Sequence, residues 1–180
     1  MATSESIRID AQLLAGVQID QATCFRIIRE HIPNLVEQHF RAGKLTKEEF
    51  ETTEKFETYV PERTLVLIDR VIDKKHEQTV EYSVTNEGII VFKPGKYLML
   101  YYSQPDLPAT ESHQIDMPNA YTFALKFFVA SRIRGRLFGQ QDESAISFYK
   151  EYTAAVEQAE RFMNRREHRR KRMPPGRRTV

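Results

Sequence analysis

The sequence predicts an α+β fold, mainly α: a helical body with a long antiparallel helix pair, a small antiparallel β-hairpin or meander excursion, and an extended basic C-terminal arm. Three observations carry this. Residues 118–164 repeat apolar side chains at helical spacing. Residues 64–102 change to branched residues, alternation and turn dipeptides. Residues 165–180 hold eight Lys or Arg against Glu167 alone. The body then spans 1–164, with helices over about 20–59, strands over about 64–102, a loop over about 103–117 and the helix pair at 118–164; the arm is 165–180.

Residues 1–19 offer no clear pattern beyond a short turn of helix at Ala11 to Leu14. Asp20 opens a helix with Phe25, Ile28, Ile32, Leu35, Val36 and Phe40 near one face. Pro33 interrupts it, which predicts a bend or two shorter helices. Thr46 and Glu49 have capping-box spacing, so LTKEEFETTEKFETYVP reads as a short exposed helix carrying Phe50, Phe56 and Tyr59. RTLVLIDRVID, QTVEYSVTNEGIIVF with a turn at Asn86 to Gly88, and KYLMLYY after a Pro-Gly turn predict three or four antiparallel strands. KYLMLYY is nearly continuously apolar, as suits a strand buried on both faces or covered by a partner subunit. SQPDLPATESHQIDM has two prolines and no periodicity, and loops of this length are often functional or ordered in an assembly.

The helix pair is the best-marked element. Pro118 suits a first helical position and Gly139 a left-handed stop, with Ala120, Phe123, Ala124, Phe127, Phe128, Ser131, Ile133 and Leu137 between them. Asp142 is placed to N-cap the second helix, whose stripe is Ala145, Phe148, Tyr149, Tyr152, Val156, Ala159 and Phe162. A short connection makes the two helices antiparallel neighbours. Phe123, Phe127, Phe148 and Tyr152 read most simply as an intramolecular core. The second helix keeps good helix formers through Arg172, past its apolar stripe, until Pro174 and Pro175 stop it.

The 180 residues suit one domain, or one small domain with appendages, 41% hydrophobic and 29% charged, with a formal net charge of +2. The arm contributes +7, so the body sums to −5. An acidic body with a strongly basic tail points to an acidic partner for the tail. No apolar run reaches the roughly 20 residues of a membrane helix, and the N-terminus lacks the pattern of a secretory signal. Cys24 is the single cysteine, which excludes an internal disulfide and multi-cysteine metal sites and predicts synthesis in a reducing cytoplasm.

The sequence shows no phosphate-binding glycine loop, HExxH or nucleophile turn, and the reading is of a non-enzyme with no cofactor. His31 and His39, with Glu30 and Glu37, could face one another on a helix as metal ligands, but Pro33 between them disturbs that geometry; the competing reading is surface histidines. Asp69, Asp73, Glu77 and Glu81 would have to converge to form an acidic metal cluster. Cys24 reads as a small buried apolar residue. The basic tail is either a disordered solubilising segment, a nucleic-acid phosphate binder, or an arm that threads into an acidic groove of a protein.

The order of elements resembles that of the head-to-tail connector (adaptor) proteins of tailed bacteriophages. The resemblance covers about Thr64 to Arg172: a β excursion ending in the loop at QPDLP, then MPNAYTFALKFFVASRIRGRLFG, a polar turn, and SAISFYKEYTAAVEQAERFMNRR leading to a C-terminal arm. It implies a structural protein of the virion neck, assembled in the host cytoplasm as a ring, typically of twelve subunits, beneath the portal protein. It implies partners in the portal, in a tail or stopper protein and in further copies of the chain, with DNA passing through the channel without sequence-specific binding, and no membrane. Arg165, Arg166, Arg169, Arg170, Lys171, Arg172, Arg177 and Arg178 would dock on the portal; Tyr97, Met99, Tyr101, Tyr102, Asp106 and Leu107 would meet neighbouring subunits or the tail. The acidic segment 46–59 has no place in that pattern. The alternative is a nucleic-acid-binding protein that uses the basic tail directly.

Overall fold

The computed structural model describes residues 2–110 and 112–172, with side chains through residue 165. It has the mixed α+β architecture with more helix than strand that the sequence predicts, and it divides into two compact units. One, helical, comprises residues up to Ile32 and from Asp106 onward; the other, of strands, is Pro33–Pro105.

In the helical unit, α1 (Ser4–Ala15) is a full helix where the sequence suggests a single turn. Thr3 and Ser6 form a reciprocal capping box and Gly16, at φ 65°, supplies the left-handed stop. Its buried face is Ser4, Ile7, Ala11 and Ala15, mostly small side chains. α2 (Gln21–Gln38) begins as expected, with the Asp20 carboxylate accepting from the N–H of Ala22 at 3.0 Å and of Thr23 at 3.1 Å. A side-chain hydrogen bond with Thr23, and then these two N–H bonds, hold its carboxyl below the usual range. Pro33 does not split α2 into two helices; the helix runs through it.

α3 (Asn119–Phe138) and α4 (Glu143–Arg172) are the predicted pair. Pro118 is the N-cap of α3, one position earlier than expected, and Gly139, at φ 94°, ends it. Asp142 caps α4, accepting from the Ala145 N–H at 2.8 Å, and its two oxygens take a fork from Arg134 at 2.8 and 3.0 Å. The Arg134 bond is the main reason that the Asp142 carboxyl stays below its usual range. Ser131 donates to the Ala145 carbonyl at 2.8 Å, and Phe128 packs against Tyr152 at 5.2 Å, which fixes the antiparallel register. Ile115 and Met117 anchor the preceding loop, which pairs with the N-terminus through Thr3 and Gln114.

The other unit corrects the reading of 46–59. That stretch is β1 (Lys44–Thr52), followed by β2 (Thr58–Tyr59), not a helix. The inward positions near its end are Glu48, Phe50 and Thr52, two of them polar, so the period of two is hidden from a hydrophobicity reading. β3 (Leu65–Asp73), β4 (Gln78–Thr79), β5 (Tyr82–Val84), β6 (Ile89–Val91) and β7 (Gly95–Ser103) complete two antiparallel sheets, β1-β7-β3-β4 and β2-β6-β5. KYLMLYY lies in β7, a central strand paired on both sides. Phe50, Ile68, Val71, Ile89, Val91, Tyr97, Met99 and Tyr101 form the core.

Candidate interaction surfaces

The residues proposed for subunit or tail contact separate by burial. Tyr97, Met99 and Tyr101 are core residues of the β unit, and Tyr102 is buried edge-on against Phe40 at 5.1 Å. Asp106 and Leu107 lie exposed in the loop that follows β7. From that set, these two are the exposed side chains. Of the proposed docking residues, Arg165 is exposed on α4. The side chains of Arg166, Arg169, Arg170, Lys171 and Arg172, and the whole of Arg177 and Arg178, lie outside the described residues.

Among the described side chains the last buried residue of α4 is Ala159, and the helix continues to Arg172. That extension is about 20 Å long at roughly 1.5 Å per residue. Phe162, at its root, is 56% exposed. The predicted aromatic core holds for Tyr152 and partly for Phe127 and Phe148, but Phe123 is 55% exposed, a correction. Phe123 instead walls a groove of about 260 Å³ between α1 and α3, where the Lys126 ammonium lies 4.0 Å above its ring and 3.7 Å from Asp10. At the other end of the pair, Leu137, Phe138, Ile146 and Tyr149 are exposed.

Two polar centres escape the sequence reading. In the β unit, the Glu48 carboxylate is buried and accepts from the Tyr101 hydroxyl at 2.6 Å, the Tyr59 hydroxyl and the Glu62 N–H at 3.0 Å. Burial, then the bonds to Glu48, pushes both phenols far above their usual range. In the helical unit, His31 is packed against aromatic rings and is not left as a surface residue. Its ring stacks on Phe128 at 3.5 Å, meets Tyr152 edge-on at 5.4 Å, and Nε2 lies 2.7 Å from the Tyr152 hydroxyl. Burial, and secondarily the Arg132 guanidinium, lowers its pKa to about 4, while burial pushes the Tyr152 phenol up to about 12. The signal in the sequence is its spacing: His31 falls between Ile28 and Ile32 on the buried stripe.

Asp69 pairs with Arg70 at 2.8 Å and Asp73 with His76 at 2.7 Å, and among the described residues no three His, Cys, Asp or Glu side chains converge as a metal site would need. Cys24 is buried with its thiol 4.0 Å from the Ser4 carbonyl. Among the described residues no helix is long and apolar enough to cross a membrane. The chain matches no family of known proteins, and no curated protein matches it in sequence.

Proposed function

We propose that the chain is a structural adaptor of a tailed-phage neck: a ring-forming subunit beneath the portal that continues the DNA channel toward the tail. The observation that carries this reading is α4, whose last buried residue among the described side chains is Ala159 and which continues as a helix to Arg172 through the most basic stretch of the sequence. A helix end with a strong net positive charge suits an acidic partner surface. Arg165 and the basic residues after it are the portal-docking side chains; Asp106 and Leu107 face subunits or tail. The strands from Leu65 to Ser103, ahead of α3, support the reading, since the resemblance places a β excursion there; β1 and β2 fall in the segment that has no place in its pattern. A body of net charge −5 would let DNA slide where a basic lumen would hold phosphates.

The experiment compares the full chain with a version ended at Asn164, against the portal of the same virus and against duplex DNA, in about 150 mM salt. Portal binding lost on truncation is the expected result. Salt-dependent DNA retention without portal binding would replace this function with nucleic-acid binding through the tail, the reading that the same basic stretch also favours.

A further inference from the structure

Of the strands that end a sheet, β2, β4 and β5 are two, two and three residues long. β1 is nine residues long, runs in unbroken register with β7 and holds no proline. A long, regular edge of this kind pairs with other strands unless its side chains prevent it.

The ladder shows which backbone groups stand open. The Lys74 N–H donates to the Lys96 carbonyl at 2.9 Å and the Gln104 N–H to the Thr64 carbonyl at 3.0 Å, so the even-numbered residues of β7 turn their backbone toward β3. The odd-numbered ones, Gly95 to Ser103, therefore bond β1 at Thr52, Phe50, Glu48, Thr46 and Lys44. That leaves the N–H and C=O of Leu45, Lys47, Glu49 and Glu51 on the open edge, without a backbone partner among the described residues. The side chains of these four are exposed and alternate with the inward Glu48, Phe50 and Thr52.

We propose that β1 pairs with β1 of a second copy of the chain, antiparallel about a twofold axis at Glu48. Lys47 of each copy then stands opposite Glu49 of the other, and Leu45 opposite Glu51, so every open residue is matched. Moving the axis to Lys47 opposes lysine with lysine, and moving it to Glu49 opposes glutamate with glutamate; the charges select one register. Lys47, which would repel an unmatched strand, thus favours this partner over others. The two Glu48 residues meet at the axis on the inner face, where each carboxylate is already taken up by the Tyr101 and Tyr59 hydroxyls and the Glu62 N–H. Such a contact uses the same patch twice and closes as a dimer, whereas a ring joins two different patches, so the inference stands apart from the adaptor reading.

The test uses the full chain with Lys47→Glu and, separately, Glu49→Lys, both at exposed positions, with circular dichroism to check folding. By sedimentation equilibrium the parent chain forms a dimer that dissociates on dilution. Each variant alone dimerises at least about tenfold more weakly, because attraction at two pairs becomes repulsion. Mixed in equal amounts, the two variants form a heterodimer of the parent's affinity, since each supplies the charge that the other lacks. A parent chain that is monomeric at about 0.5 mM, an assembly indifferent to both variants, or a mixture no tighter than its components overturns the proposal. Amide exchange of the unsubstituted chain gives a second readout. Dilution releases the amides of Leu45, Lys47, Glu49 and Glu51, while those of Thr46, Glu48 and Phe50 stay protected by β7; equal exchange of the first four at high and low concentration overturns the pairing.

Discussion

Acidification tests the His31 joint directly. The folded pKa is about 4 against an ordinary 6.5, so the unfolded chain takes the proton first. The stability of the neutral, stacked imidazole is therefore intact above pH 6.5, declines as the pH falls, and is fully lost below about 4. At roughly 1.4 kcal/mol per pH unit the full separation amounts to about 3 kcal/mol, of which about 2.5 kcal/mol is lost by pH 4.5. The control is the double substitution His31→Phe with Tyr152→Phe, which keeps the rings and removes both partners of the hydrogen bond, so that no buried hydroxyl is orphaned. Other groups titrate in acid too. The carboxyls of Asp20 and Asp142 are held below their usual range, but they are common to both proteins and cancel in the difference. Urea unfolding followed by helical circular dichroism at pH 7.5 and 4.5 should show the parent protein losing more stability than the doubly substituted one, by about 2 kcal/mol. Equal losses, or a His31 ring proton titrating near 6.5 by NMR, would refute the buried-neutral assignment.

Two further substitutions probe the β unit. Glu48→Ala leaves two hydroxyls and the Glu62 N–H without their acceptor and should cost roughly 3 kcal/mol in urea unfolding, with Glu48→Gln recovering part of it. Gly88→Ala would place a Cβ 2.2 Å from the Tyr59 carbonyl oxygen, so it should destabilise by about 2 kcal/mol and speed amide exchange at Ile89 and Ile90; unchanged exchange would show that the β2–β6 edge tolerates the methyl.

The readability of the sequence follows the hydrophobic period. The helix pair is legible because Phe128, Ile133, Tyr152 and Val156 are large and apolar at helical spacing, and because Asp142 and Gly139 mark the turn. β1 is misread because two of its inward residues are Glu48 and Thr52, whose burial depends on partners about 40 to 50 residues away: Thr52 on the Lys93 carbonyl, Glu48 on Tyr101. No local pattern contains that information. α1 is understated because alanine carries much of its buried face. Spacing alone assigns Phe123 to the core, whereas rotation of α3 about its axis puts Ala124 and Leu125 inside and leaves the ring over Lys126. Burial on a helix is decided by which neighbours it meets, a tertiary fact.

The extension of α4 raises the same question from the opposite side. Most helices in proteins are stable because one face is packed; alone, a segment of fewer than about 12 to 15 residues is marginal in water. Beyond Ala159 the helix has no buried residue among those described, and its sequence sets Arg165 against Arg169 and Arg166 against Arg170 at i, i+4, pairs that repel. In its favour are its continuity with a packed helix, which removes the cost of nucleation, and the attraction between cations and the negative end of the helix dipole. The balance of these opposed terms is reset by an acidic surface: neutralising the repelling pairs removes the main cost, and Phe162 at the root gains a cover that it lacks in the single chain. On the proposed reading, docking on an acidic surface and helix stability in the extension would be one linked equilibrium.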